Sequence, residues 1–324
     1  MDEQVYDIVI VGAGPAGLSA AVYTSRDRLK TVVVDKLIPG GQINTTDRIE
    51  NFPGHVRISG PELVKRLEEQ CRNFGTEIRQ VAEVTRLEKR QDGTILVEIN
   101  RKDTLIARSV ILSPGSDYRK LGVPGEDRFR RAGTGVSYCG TCDAPFFKDK
   151  VVVAVGGGNT ALEETIHLTR FARKVYLVHR RNEFRGDKIL VEELDQVIRQ
   201  TGKCELVLDT VVTSIEGNQH VEYVNTQTVK DGKAGKIDCD GVFIFVGTIP
   251  NTKFLAGFVD RNDAGYITCD PWYLRTSVPG VFVAGDCRVG AMMQLATACG
   301  DGVVAAMALK RHLKNPAWWN TPGP

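Results

Sequence analysis

Two thiols separated by two residues, Cys139-Gly140-Thr141-Cys142, followed at once by the carboxylate of Asp143, are the most reactive grouping in the sequence. Zinc binding would want a second CxxC or a His pair. The other cysteines, Cys71, Cys204, Cys239, Cys269, Cys287 and Cys299, are scattered singly, so no metal site is expected. A structural cross-link over so short a loop restricts the unfolded chain little, which makes stability a poor reason for it. A redox dithiol fits better: one thiolate attacks a partner's disulfide, the other resolves the mixed intermediate, and a nearby acid moves the proton. Asp143 is placed for that task, although a plain surface Asp would read the same way.

A dithiol must be recharged with electrons, and two glycine-rich segments are suited to hold the carriers. Residues 8–11 read as a buried parallel strand. Gly12-Ala13-Gly14-Pro15-Ala16-Gly17 then turns into an apolar helix over 18–23, and a second strand, Thr31–Val34, ends on Asp35. Residues 151–155 precede Gly156-Gly157-Gly158-Asn159-Thr160-Ala161, a helix follows from Leu162, and a strand over 175–178 ends on His179. Gly12 stands as far from Asp35 as Gly156 does from His179. In such βαβ units the first glycine makes the tight turn, the second admits a pyrophosphate, and the third lets helix and strand pack. The phosphates then meet free N–H groups at the helix N-terminus.

The expected contacts are therefore Gly12, Gly14, Pro15, Ala16 and Gly17 in one unit, and Gly156, Gly158, Asn159 and Thr160 in the other. The alternative is a pair of glycine turns that bind nothing. Asp35 can accept hydrogen bonds from a ribose with free hydroxyls, as in FAD or NAD, and would repel a 2′-phosphate. His179, Arg180, Arg181 and Arg185 offer cationic groups at the corresponding place, which suits the 2′-phosphate of NADPH. A solvated basic loop is the other reading.

The remaining elements must assemble these parts. At 324 residues the chain suggests two domains or three small ones. Its 42 Lys and Arg against 40 Asp and Glu leave +2, with no polybasic run, so neither nucleic acid nor a membrane surface is an expected partner. The acidic start, Met1-Asp2-Glu3-Gln4, leads straight into a strand, without the basic and apolar parts of a signal peptide. A cytoplasmic protein is expected. A strand closing on Gly285-Asp286 would reach the FAD, and Gly300-Asp301-Gly302 reads as the opening of a C-terminal helix over 303–309. Because these lie so far from Gly12, the expected FAD domain is discontinuous, residues 1–117 and 248–324, around an inserted NADPH-type domain of residues 118–247 that carries the CxxC. The fold class is α/β, with two Rossmann-like three-layer domains.

Over nearly its full length the chain resembles the low-molecular-weight, bacterial-type thioredoxin reductases, class II pyridine nucleotide-disulfide oxidoreductases. The motifs are 12–17, Gly40-Gly41-Gln42, Glu50-Asn51-Phe52-Pro53-Gly54, the CxxC-Asp just before the second nucleotide unit, 156–161, 179–185 and Gly285-Asp286. The resemblance implies a homodimeric flavoenzyme whose dithiol domain rotates, passing electrons from NADPH through FAD to thioredoxin. It also implies that Gly41, Gln42 and Asn51 lie near the FAD, Asp286 on its ribityl chain and Gln294 near the isoalloxazine. Cys139 would attack thioredoxin, Cys142 would lie nearer the flavin, and Asp143 would be the acid.

Three departures stand out: Met293 where the family usually has Arg, Ala144-Pro145 where a glycine usually follows the Asp, and a tail bearing Trp318-Trp319. Such a Trp pair could stack on the flavin and exclude nicotinamide, as in a ferredoxin-fed version of the enzyme, or could serve as tail packing or a dimer contact. A flavin-bearing redox sensor is a further reading.

Overall fold

The computed structural model describes residues 4–131 and 133–323, so the acidic start Met1-Asp2-Glu3 lies outside the described residues. The chain divides into two compact units, one containing residues up to Asp117 and those from Ile249 onward, the other Tyr118–Thr248. The first begins with β1 (Val5–Val11), α1 (Pro15–Arg26), β2 (Thr31–Val34) and α2 (Gly60–Asn73). It continues through β3 (Glu77–Arg79), β4 (Val84–Lys89), β5 (Ile95–Ile99), β6 (Asp103–Leu112) and the outgoing connection β7 (Ser116–Tyr118).

The second unit runs α3 (Glu126–Arg131), β8 (Val136–Ser137), α4 (Gly140–Asp143), β9 (Val151–Gly156), α5 (Asn159–Leu168), β10 (Lys174–Val178), α6 (Lys188–Thr201) and β11 (Cys204–Val207). An antiparallel sheet of β12 (Thr210–Glu216), β13 (Tyr223–Thr228) and β14 (Ala234–Asp238) follows, and β15 (Gly241–Phe245) ends the unit. The chain returns through β16 (Thr248–Pro250), which pairs with β7, to β17 (Val281–Val283) and α7 (Leu295–Lys314).

In the first unit the strand order is β3-β2-β1-β6, all parallel. β6 is long enough to change partner: its first half pairs antiparallel with β5, whereas residues 110–112 pair in parallel with β17. The run Ile8-Val9-Ile10 is fully buried, as parallel strands covered on both faces require. The second unit repeats the pattern as β11-β10-β9-β15-β8. In the first sheet the sequence runs outward from β1 and restarts on its other side at β6; in the second it runs outward from β9 and restarts on its other side at β15. Such reversals open a crevice beyond the C-terminal strand ends, between β1 and β6 and between β9 and β15.

One boundary differs from the sequence reading. The last helix begins at Leu295, with Gln294 as N-cap, and not at Gly300. Gly302 lies inside it because α7 crosses α1 there: a Cβ at 302 would fall on the Ala16 carbonyl oxygen. Its glycine serves close packing.

Candidate active site

Cys139 and Cys142 are joined as a disulfide whose Cα atoms lie 5.3 Å apart, at the short α4 that follows β8. The Cys142 N–H donates to Cys139 Sγ at 3.2 Å. Ser137, in β8, links the turn to its acid: its hydroxyl donates to Asp143 Oδ2 at 2.6 Å and accepts from the Cys139 N–H at 3.1 Å. From the other side Thr141 Oγ1 donates to Glu164 Oε1 on α5 at 3.0 Å. Two carboxylates, Asp143 through Ser137 and Glu164 through Thr141, thus bond to the segment that carries the disulfide.

The second glycine turn, in the same unit, has the shape of a phosphate cradle. A Cβ at Gly156 would meet the Phe245 carbonyl oxygen at 2.5 Å, whereas one at Gly158 would meet nothing within 4 Å. Gly156 packs and Gly158, the position suited to a pyrophosphate, opens outward at an α5 N-terminus without a side-chain cap. Asn159 is committed to the loop after β10: its Oδ1 accepts from the Asp187 N–H at 2.8 Å and its Nδ2 donates to Asp187 Oδ2 at 2.7 Å. The Arg185 N–H donates to the Gly157 carbonyl at 2.8 Å, bringing the basic loop to the glycine turn.

Arg180, Arg181 and Arg185 are exposed, and Thr160 is exposed beside the turn. His179 departs from its expected part as a cationic contact. It is buried, its ring lies over Gly157 and stacks on Phe184, and its Nε2 is 3.1 Å from the Glu183 carbonyl oxygen. Burial pushes its pKa below the ordinary value, so it is neutral at pH 7 and shapes the loop without adding charge.

The first glycine turn lies at the end of β1. Gly12 has φ +104, and a Cβ there would fall on the Ser113 carbonyl, while one at Gly17 would fall on the Gly12 carbonyl. At Gly14 a Cβ would meet nothing within 4 Å, and α1, with Pro15 near its start, has no side-chain cap. Asp35 accepts from the Ala13 and Leu37 N–H groups, at 2.7 and 2.8 Å.

Distant segments converge on this turn. A Cβ at Gly41 would lie 3.7 Å from Gly14 Cα, and one at Gly285 3.0 Å from Ala16 Cβ. Gln42 Nε2 donates to the Ser116 carbonyl at 3.0 Å and to Asp117 Oδ1 at 2.9 Å. Asn51 Nδ2 donates to Gln294 Oε1 at 3.4 Å. Next to Gln294, Met293 sits at φ 53 and its Sδ accepts from Ser116 Oγ at 3.8 Å. Asp286 stands at the end of the β17 segment. Burial first, then the charge of Asp301, pushes its pKa up to about 6, with Arg288 acting the other way.

These residues fit a dinucleotide. The open faces of Gly14 and Gly158 leave room for a pyrophosphate against uncapped helix ends. Asp286 is a carboxylate for which ribityl hydroxyls would be donors. Trp318 and Trp319 fit differently from the expectation. Trp318 packs edge-on against Tyr273, and Trp319 against Phe282 and His312. Arg275 Nη1 donates to the carbonyls of Trp319 and Thr321 at 2.7 and 2.8 Å. The whole 20-residue α7, about 30 Å of rise, separates Gln294 from this tail, so within its own chain the pair seals the far end of the core and does not stack on a flavin near Gln294.

Several site residues were missed in the sequence. Ser137 carries no spacing signal. Glu164 does: it shares a helical face with the buried Ala161, Thr165 and Leu168, a carboxylate on an apolar stripe. Asp301 accepts from Arg288 Nε and Nη2 at 2.7 and 2.9 Å and from the Gly285 N–H at 3.0 Å, fixing the Gly-Asp corner. Glu126 is buried, accepting from the Leu121 and Gly122 N–H groups and from the hydroxyl of Tyr138, next to Cys139. Among the described residues no group of three or more His, Cys, Asp or Glu could hold a metal ion, and no helix is long and apolar enough to cross a membrane.

Residues 6–302 match the family model described as pyridine nucleotide-disulphide oxidoreductase. A thioredoxin reductase of Peptoclostridium acidaminophilum is 40% identical over 321 residues, 96% of this chain and 98% of the relative. One of Bacillus subtilis is 39% identical over 319 residues, 97% and 96%. Among solved structures, the thioredoxin reductase of Streptococcus pyogenes matches with a TM-score of 0.89 at 38% identity, covering 97% of this chain and 99% of that one.

Proposed function

The chain belongs to the pyridine nucleotide-disulphide oxidoreductases, and from that premise we propose that it is a thioredoxin reductase, drawing electrons from NADPH through FAD to the Cys139–Cys142 pair and on to the disulfide of thioredoxin. The observation that carries this reading is a closed CxxC disulfide, bonded through Ser137 to an acid, in a chain with two dinucleotide crevices. Bound FAD supplies the means of turning a hydride from NADPH into an electron pair for a disulfide.

The protein's own part is positional and acid–base. Gly14, Asp35, Gly41, Gln42, Asn51, Asp286 and Gln294 are the residues we assign to FAD. Gly158, Thr160, Arg180, Arg181 and Arg185 are those we assign to NADPH, with Asn159 and His179 holding their loop. Once the pair is reduced, the Cys139 thiolate attacks the partner's disulfide, helped by the Cys142 N–H aimed at its sulfur. Asp143, its carboxylate reached through Ser137, holds the proton for the leaving sulfur. The other described cysteines are all free, which supports a reducing, cytoplasmic setting. A homodimer is part of the same proposal.

Anaerobic titration tests it. One equivalent of NADPH is expected to bleach the flavin band, and Cys142→Ser to abolish thioredoxin reduction while the bleaching persists. A flavin left oxidised by NADPH but reduced by ferredoxin would overturn the donor assignment. Partner binding governed by nucleotide occupancy, without turnover and indifferent to Cys142→Ser, would point instead to a sensor.

A further inference from the structure

Glu164 is a carboxylate that the reaction outlined above does not use. It belongs to α5, the helix whose N-terminus forms the second glycine turn, yet it reaches the redox turn. Oε1 accepts from Thr141 Oγ1, the residue between the cysteines, at 3.0 Å. Oε2 is buried and has no hydrogen-bond partner among the described residues. It lies against Gly140, where a Cβ would fall on it, so glycine at 140 leaves the room that the carboxylate fills. The Cα atoms that end the turn are 5.3 Å apart, and the carboxylate meets the two residues between them, Gly140 and Thr141.

We propose that Glu164 is a positioning residue of the dithiol, holding the CxxC turn through Thr141 and setting the balance between thiol and thiolate by its charge. The inference rests on the disulfide-exchange reading given above. Opening the disulfide consumes two electrons and two protons: the S–S bond breaks and two S–H bonds form, the electrons coming from NADPH. For attack, one thiol gives its proton to water. The thiolate then bonds to one sulfur of the partner's disulfide, and the other leaves and takes up a proton.

A fixed negative charge disfavours that thiolate and so favours the disulfide, which makes the pair a stronger reductant. Among the described residues, the groups that pack on the turn include Asp143 from α4 itself, bonded to Ser137 of β8, and Glu164 from α5, while β15 contributes the ring of Phe245. An unpartnered buried carboxylate oxygen is costly. Here it lies in the same turn in which reduction creates two S–H donors.

Two readouts on the flavin-loaded protein test the proposal: the pH profile of iodoacetamide alkylation of the reduced pair, and the redox state of the 139/142 peptide in dithiothreitol buffers, both read by mass spectrometry. Glu164→Gln keeps an acceptor for Thr141 and removes the charge. The alkylation midpoint is expected to fall by about one pH unit, and the exchange equilibrium, read at a pH above both midpoints, to move about tenfold toward the reduced pair, a rise of about 30 mV for a two-electron couple. Gly140→Ala, whose methyl takes the carboxylate's place, is expected to move both the same way. Thr141→Val, which keeps the charge, should leave the midpoint where it is. Wild-type midpoint and potential in both Glu164→Gln and Gly140→Ala would overturn the proposal. A wild-type disulfide that no dithiothreitol buffer opens would overturn it together with the exchange reading.

Discussion

Arg180, Arg181 and Arg185 expose guanidinium groups with no ion-pair or hydrogen-bond partner among the described residues. Each charge-assisted bond to a phosphate is worth about 1.5–3 kcal/mol, so Arg180→Ala is expected to weaken NADPH roughly 10- to 100-fold and leave NADH nearly unchanged. Flavin bleaching titrations measure both, and equal losses would refute the 2′-phosphate assignment. Asp286 makes a prediction about pH. Its pKa of about 6 lies above the ordinary 3.8, so the folded apoprotein prefers the protonated acid. The stability this gives is complete below about pH 4 and is lost as pH rises through 6. Asp286→Asn is expected to flatten that stretch of the curve, raise the apoprotein's Tm at pH 7 and weaken FAD; an unchanged slope between pH 4 and 6 would rule out Asp286 as its source. Residue types at strand ends were legible in the sequence, but their surroundings were not. His179 reads as a cation beside two arginines, and only the ring of Phe184 and the backbone of Gly157 make it a buried neutral side chain.

Among the elements, the two glycine turns separate packing from binding. Gly158→Ala places a methyl in open space, so Tm should hold while NADPH affinity falls at least tenfold, by about 1.4 kcal/mol or more. Gly156→Ala meets the Phe245 carbonyl oxygen at 2.5 Å and should cost about 1–3 kcal/mol of stability instead, read in the same melts. Gly302→Val would wedge α7 off α1 and lower both Tm and FAD retention. Both βαβ units were legible because a buried parallel strand, a glycine turn and an apolar helix each leave a pattern in a few adjacent residues. The start of α7 was not. Gly300-Asp301-Gly302 looks like a helix cap, whereas the glycine is needed by a helix almost three hundred residues away and the Asp by Arg288.

For the whole molecule, the aromatic tail separates the two donor readings. Truncation after Asn315 removes both indoles from Phe282, His312 and Tyr273, so Tm should fall. The rate of flavin reduction by NADPH should stay within about twofold, the scale of a few tenths of a kcal/mol. A large acceleration would show that the tail covers the flavin after all. A further consequence follows from β6, whose last residues pair with β17 while Ser109 Oγ donates to the Gly280 carbonyl at 2.6 Å. Translation delivers β17 and α7 only after every residue of 118–248 has been made, and domains tend to fold as units while they emerge. The inserted unit can therefore close on the ribosome, whereas the sheet around Gly12 waits for the last strand. Loading of the flavin becomes a post-translational event, and a chain stalled before residue 281 would be born unable to keep it.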